Sequence, residues 1–260
     1  MVTEEDIKKV LKKSISNFFL NKKVKVIHPL DFIFPSERRI RSLIGGLETS
    51  MGTTLWEPIL KLFAKNNGYE IKDVNKVNEN CYEINDFLIR EIASFKNKKD
   101  ADNRLSHQEF FKNIKSIIKK NKTKKKMLRK RKVGVDIWLK KDNKEILIDV
   151  KTTQINSGDG PKFNENLLKW YTYRALAETK SDVICFIFFP FNPHHPKDFW
   201  AKEGGKSSPL IHREEVKMGD ELWNEISGMN NTTAFILNAF KSLGKDNFSE
   251  EFKSIFYKKS

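Results

Sequence analysis

The stretch GVDIWLKKDNKEILIDVKTTQ, at residues 134–154, contains two apolar runs on either side of a polar turn, and each run carries one aspartate among aliphatic residues. Asp136 belongs to the first of two apolar runs, and Asp149 and Lys151 close the second. Carboxylate oxygens are hard ligands of the kind that Mg²⁺ binds, together with waters and a substrate phosphate. An ammonium beside such an ion can orient a water or stabilise charge on phosphorus. These residue types fit the hydrolysis of a phosphodiester.

The two apolar runs predict the strands of a β-hairpin whose turn is centred on Asp142 and Asn143. In that register Asp136 faces Asp149, and facing residues have Cβ atoms about 5 Å apart. Because side chains alternate along a strand, each run divides between two faces. The predicted core face carries Val135, Ile137, Leu139, Ile146, Ile148 and Val150. The opposite face carries Gly134, Asp136, Trp138, Leu147, Asp149 and Lys151.

Like charges that face each other destabilise a strand pair unless something neutralises them. Two interpretations of the aspartates stay open on these grounds. Lys151 can form a salt-bridged patch with them on a solvated sheet face, or the two carboxylates can hold a divalent ion with Lys151 beside it. The predicted register and the position at the end of a strand favour the second interpretation.

These residues resemble the motif of the PD-(D/E)xK nuclease superfamily, with Asp136 on one strand and Asp149-Val150-Lys151 closing the next. Val135 stands where the family name has proline. A second stretch, RRIRSLIGGLETSMGTTLWEPI, resembles the N-terminal signature of the TdeIII-like family of type II restriction endonucleases. With KTTQIN after the hairpin, the resemblance spans much of residues 36–190.

The resemblance implies a Mg²⁺-dependent enzyme that cuts double-stranded DNA at GGNCC or a related palindrome. It makes Asp136, Asp149 and Lys151 the catalytic residues, and Asp136, Asp149 and the backbone carbonyl of Val150 the metal ligands. A glutamate from a preceding helix often reaches the metal in this superfamily. Glu48 is the candidate here and Glu57 is second, although a surface carboxylate near Arg41 or Lys61 explains either one as well.

Two segments are candidates for DNA contacts. Thr152, Thr153 and Gln154 follow Lys151 directly, although the ordinary polarity of a strand exit also explains them. FNPHHPKDFWAKEGGKSS, at 191–208, mixes His194, His195 and Lys197 with loop-forming residues, which suits phosphate or groove contacts. The histidines could instead cap a packed loop. Neither has a third ligand at zinc spacing, which argues against a zinc site.

The composition favours a polyanionic partner. The 260-residue chain has a formal net charge of +15, and residues 119–132 are mostly Lys and Arg, a run that binds nucleic acid or forms a solvated surface. With two distant cysteines, no disulfide framework or CxxC pair is expected. No apolar run reaches bilayer length, and no P-loop, GxSxG or HExxH motif is present. The acidic, amphipathic N-terminal stretch is unlike a signal peptide, so no secretory leader is expected. A protein of the cytoplasm is expected.

We expect a single α/β (α+β) endonuclease domain over residues 1–260. Residues 1–120 are predicted to be mostly helical, with an amphipathic helix at 4–20 and a second helix capped by Ser36. The sheet core is placed at approximately 130–190. A helix crossover from the hairpin to VICFIFF predicts a parallel strand pair, and hence a mixed sheet flanked by helices. This is a restriction-endonuclease-like core.

Three functions remain in view. The first is a type II restriction endonuclease that leaves 5′-phosphate ends, works as a homodimer on a palindrome, and is matched in the cell by a cognate DNA methyltransferase. The second is a structure-selective junction or repair nuclease of the same superfamily. The third is a basic DNA-binding protein without enzymatic activity, in which the aspartates pair with Lys151 structurally.

Overall fold

A computed structural model describes residues 1–20, 22, 28–79, 81, 84, 86–120, 133–152 and 154–257. Within them a single mixed sheet has the strand order β1-β2-β3-β4-β5. β1–β2 and β2–β3 are antiparallel, whereas β3–β4 and β4–β5 are parallel. The strands are β1 (Glu70–Lys72), β2 (Ile137–Lys141), β3 (Lys144–Val150), β4 (Asp182–Phe189) and β5 (Val216–Met218). The predicted mixed sheet with a hairpin and a parallel crossover is confirmed.

Helices cover both faces of this sheet. The α-helices are α1 (Glu4–Leu20), α2 (Pro35–Met51), α3 (Glu57–Asn66), α4 (Asp86–Ala101), α5 (His107–Lys120), α6 (Asp159–Leu176), α7 (Phe199–Ser207), α8 (Asp220–Ser227), α9 (Thr232–Lys245) and α10 (Lys253–Phe256). A π-helical turn (Gly52–Trp56) joins α2 to α3, and 3₁₀ turns lie at Pro29–Phe32, Val74–Lys76 and Phe248–Phe252. None of the described helices has the length and apolarity to span a bilayer.

The hairpin has the predicted register. Ile137 pairs with Ile148, Leu139 pairs with Ile146, and Asp142 occupies the turn with φ 51°. Aspartate tolerates this left-handed conformation better than most residues, which suits a two-residue hairpin turn. The register therefore brings the start of β2 and the end of β3 to the same edge of the sheet.

The two faces of the sheet belong to two separate hydrophobic clusters. Ile137, Leu139, Ile146 and Ile148 pack in a cluster with apolar residues of α1, α3, α8 and α9. On the other face, Trp138 and Leu147 pack with apolar residues of α4, α5 and α6. The sheet face that carries Asp149 is therefore covered rather than solvated, which removes the setting of an exposed salt-bridged patch.

Several local predictions were wrong. Val135 packs with Trp138 in the second cluster instead of with Ile137, because the chain bends at Gly134 (φ 80°) and β2 begins only at Ile137. The second helix begins at Pro35 with Phe34 as its N-cap, so Ser36 lies inside it. Strands β2, β3 and β4 lie within residues 130–190, and the short strands β1 and β5, which the sequence did not predict, extend the sheet on its two sides.

Candidate active site

Asp136, Asp149 and Lys151 form one group at the edge of the sheet; we call it the three-residue site. Asp149 is the last residue but one of β3, is only 3 % exposed, and has its Oδ1 2.6 Å from Lys151 Nζ. Asp136 lies just before β2, where its N–H donates to the Ile148 carbonyl (2.9 Å) and its Oδ2 accepts from the Val150 N–H (2.9 Å). The sheet therefore fixes the Asp136 backbone, and β3 fixes its carboxylate.

Burial raises the pKa of Asp149 to about 7. The Lys151 ammonium acts in the opposite direction, whereas the neighbouring Asp136 carboxylate raises this pKa further, both as a like charge and as a hydrogen-bond partner. Two carboxylates that share a poorly hydrated site resist simultaneous ionisation. One lysine does not compensate for two acids here, so the site lacks positive charge.

This donor set fits a hard divalent cation such as Mg²⁺. It offers two converging carboxylates and excess negative charge, which Mg²⁺ binds with the remaining positions left to waters and substrate oxygens. Val150 lies between Asp149 and Lys151, and its N–H is already committed to Asp136. Among the described residues there is no group of three or more His, Cys, Asp or Glu side chains that could hold a metal ion.

The two glutamates proposed as further ligands lie on the helices before the sheet. Glu48 is exposed on α2, and Glu57 begins α3 with its Oε2 2.9 Å from Lys61 Nζ. Neither completes a three-acid group with the aspartates in the described structure. The junction between these helices does approach the site, because a Cβ placed on Gly52 would lie 3.7 Å from Thr152 Cγ2.

The residues after Lys151 border a cleft of about 330 Å³. Thr152 is half-buried against Gly52, Gln154 is exposed, and Thr153 is outside the described residues. The cleft is lined by Lys151, Gln154, Ile155, Asp159, Lys162, Phe163, Asn166 and Phe189. Two lysines and two amide side chains thus face a space that adjoins the three-residue site.

In the second predicted DNA-contact segment, some of the candidate side chains are exposed and others are partly buried. His195 and Lys197 are exposed, whereas His194 is half-buried with its Nε2 2.7 Å from Glu203 Oε1. Most of the basic run at 119–132, which is predicted to bind a polyanion, lies outside the described residues.

Glu203 was missed by the sequence reasoning. Its only local signal is its spacing in FWAKEGGKS, where it stands four residues from both Phe199 and Ser207 and therefore on the buried face of a short helix. A charged residue on a buried helix face needs partners, and sequence alone does not name them.

Comparison with known proteins gives two matches. A family model described as "Type II restriction endonuclease, HinfI" matches residues 2–244. The type II restriction enzyme MjaII of Methanocaldococcus jannaschii is 24 % identical over 218 residues, which cover 81 % of this chain and 56 % of that protein. The chain thus spans little more than half the length of this curated relative. No solved structure matches it.

Proposed function

The chain belongs to the HinfI family of type II restriction endonucleases, and we propose that it hydrolyses phosphodiester bonds of double-stranded DNA at a specific sequence. The observation that carries the proposal is the three-residue site: two acids and an ammonium converge at one edge of a rigid sheet. Family membership names the reaction class, and this site supplies groups that suit it.

Asp136 and Asp149 are the residues that would hold Mg²⁺, with the Val150 carbonyl as a further ligand by resemblance. Bound there, the ion supplies Lewis-acid stabilisation of phosphate charge and a more acidic water. Asp149 must give up its proton for this, and its pKa of about 7 places that loss near neutral pH. Asp136 is kept in place by the Val150 N–H.

Lys151 orients the attacking water or stabilises the charge that develops on the pentavalent phosphorus. Its Nζ contacts Asp149, so its position depends on the end of β3. Attack in line with the 3′ oxygen breaks the P–O3′ bond, and the products carry 5′-phosphate and 3′-hydroxyl ends. The proton from the attacking water leaves with solvent or with the 3′ oxygen.

For the target we propose a GGNCC-like palindrome, following the resemblance drawn from the sequence. Thr152, Thr153, Gln154, His195 and Lys197 are candidate DNA contacts, since those that are described lie beside the cleft or on an exposed loop. A palindrome has a two-fold axis, which favours a homodimer on the DNA. A cognate methyltransferase that protects the same sequence is expected as a functional partner.

Digestion of DNA of known sequence tests the proposal. With Mg²⁺ the wild type should give discrete fragments with 5′-phosphate ends, and Asp136→Ala should give none while it still binds the duplex in Ca²⁺. Asp182→Ala, which removes an exposed aspartate at the start of β4, is the matched control and should cleave like wild type.

Other outcomes separate the alternatives. Cleavage confined to branched substrates would favour a junction or repair nuclease. Tight duplex binding without cleavage in any divalent cation would leave a DNA-binding protein.

A further inference from the structure

We infer that Glu203 is a positioning residue for the three-residue site, and that His194 holds the Glu203 carboxylate in place. The inference rests on the proposed nuclease function. Glu203 lies on α7, touches none of the three site residues in the described contacts, and would act through the chain that follows Lys151. We call residues 154–158 the exit segment.

The Glu203 carboxylate has three partners from three parts of the chain. It is 1 % exposed, and its Oε2 accepts from the Ile155 N–H at 3.0 Å. Its Oε1 is 2.7 Å from His194 Nε2, and Lys206 Nζ is 3.2 Å from Oε2. Burial raises the pKa of Glu203, but the hydrogen bonds from His194, Lys206 and Ile155 outweigh burial and keep it below its ordinary value. The group is therefore an anion that binds the exit segment.

Helix α7 is itself held firmly, which makes it a suitable anchor. Asp198 caps it by accepting from the Ala201 N–H at 3.0 Å, and Phe199 is fully buried. Its end contacts the start of α6 so closely that a Cβ on Gly160 would lie 2.0 Å from the Ser208 carbonyl oxygen. Glu203 thus ties the exit segment to a helix that cannot shift without moving α6.

Lys151 lies between two fixed points of the backbone. Its own N–H donates to the Phe188 carbonyl at 2.8 Å, the last sheet bond of this strand. From Thr152 to Ile155, the described residues make no backbone–backbone hydrogen bond. Among the described residues, the bond from the Ile155 N–H to Glu203 is the next hydrogen bond that holds the backbone, so loss of Glu203 leaves the chain after the lysine held by side-chain packing alone.

Displacement of a reacting group by about 1 Å can reduce a rate by roughly a hundredfold. Because the sheet continues to hold Asp136 and Asp149, loss of the anchor should affect Lys151 and one wall of the cleft more than the acidic pair. The expected defect is in kcat, with a smaller change in DNA affinity.

A second buried glutamate provides a matched control. Glu215 is 5 % exposed, with its carboxylate 2.8 Å from Lys99 Nζ and 2.6 Å from His107 Nδ1, and it also accepts from the Ile211 N–H. Its side-chain partners belong to α4 and α5 rather than to the exit segment. Glu215→Gln should lower the melting temperature without changing kcat per folded molecule.

The test compares Glu203→Gln with Glu215→Gln, with kcat expressed per folded molecule. A glutamine cannot accept from all three donors, so we expect Glu203→Gln to lower kcat by roughly ten- to a hundredfold and to accelerate amide exchange in the exit segment. His194→Ala should lower kcat less, and His194→Gln, whose amide can donate to Glu203, should recover part of that loss.

Two results would overturn the inference: unchanged exit-segment exchange in Glu203→Gln, or unchanged kcat per folded molecule where the wild type cleaves. A wild type that cuts no DNA would instead overturn the proposed function. The exchange measurement would then still decide whether Glu203 anchors the exit segment.

Discussion

Two buried carboxylates on the same face of β3 have opposite surroundings. Glu145, 4 % exposed, accepts from Arg174 Nε (2.8 Å), Arg174 Nη2 (3.2 Å) and Thr179 Oγ1 (2.7 Å). Asp149, four residues later, has one lysine and a second acid beside it. Burial raises the pKa of both, but the Arg174 guanidinium brings that of Glu145 below its ordinary value, whereas that of Asp149 rises to about 7.

The difference separates an acid with a structural role from the acid that we propose as a metal ligand. Glu145 has enough donors to remain charged in the fold without any ligand. Asp149 carries a charge that the protein alone does not balance, which is the condition a cationic ligand would relieve. An acid whose pKa is raised by burial beside a second acid is a candidate for function, whereas a pKa lowered by a structural ion pair, as at Glu145, carries no such indication.

The largest expected effect is on activity. Asp149→Asn removes a ligand charge, and we expect cleavage to fall by roughly a thousandfold or more while the metal-free protein becomes no less stable. Single-turnover cleavage and a denaturation curve on one preparation measure both. If Asp149→Asn cleaved DNA as fast as wild type, the proposed difference in role between Asp149 and Glu145 would be wrong.

Glu145→Ala should have the reverse effect. It leaves the Arg174 guanidinium buried without its partner, which costs about 3–5 kcal/mol of unfolding free energy. Urea denaturation measures the loss. At a temperature where the variant is folded, its cleavage rate per folded molecule should equal that of wild type. A lower rate would mean that Glu145 also contributes to activity.

The pH dependence of stability should sharpen the comparison. The pKa of an aspartate in an unfolded chain is about 3.9, and folding raises the pKa of Asp149 to about 7. A raised pKa favours the protonated form in the fold, so this contribution is present below about pH 4 and is lost as pH rises through 7. In EDTA, Asp149→Asn should therefore gain stability over wild type across this interval, by a few kcal/mol at most. If the melting temperatures of wild type and Asp149→Asn changed in parallel with pH, the raised pKa of Asp149 would be contradicted.

The smallest expected effect concerns the support around the site. Gly160→Ala places a methyl group against the Ser208 carbonyl, and we expect it to cost about 1–3 kcal/mol through overpacking. Gly205→Ala on α7, where a Cβ meets no atom within 4 Å, is the control and should not destabilise the protein. Equal melting temperatures for the two variants would mean that α6 and α7 can separate freely.

The sequence predicted what depends on local pattern. Alternation and a two-residue turn gave the hairpin register and therefore placed Asp136 near Asp149, and the crossover gave the parallel β3–β4 pair. The resemblance to type II restriction endonucleases is confirmed, and the matching family model is that of HinfI.

What the sequence did not predict depends on contacts between distant segments. β1 and β5 have three residues each, too few for alternation to mark them. The covering of the Asp149 face by α4, α5 and α6 is a tertiary fact, and it is the cause of the raised pKa. The bond from Glu203 to the Ile155 N–H joins residues 48 positions apart, and no local pattern marks it.

The parallel pairing of β3, β4 and β5 gives the sheet a polarity. All three strands finish at the rim where β2 starts, so the connections that leave them emerge together on the side of the three-residue site. The hairpin turn at Asp142 lies at the far end, seven β3 residues away. Connections at the rim can change in length and composition while the strands stay the same, so a new target sequence could evolve on this scaffold without repacking its interior.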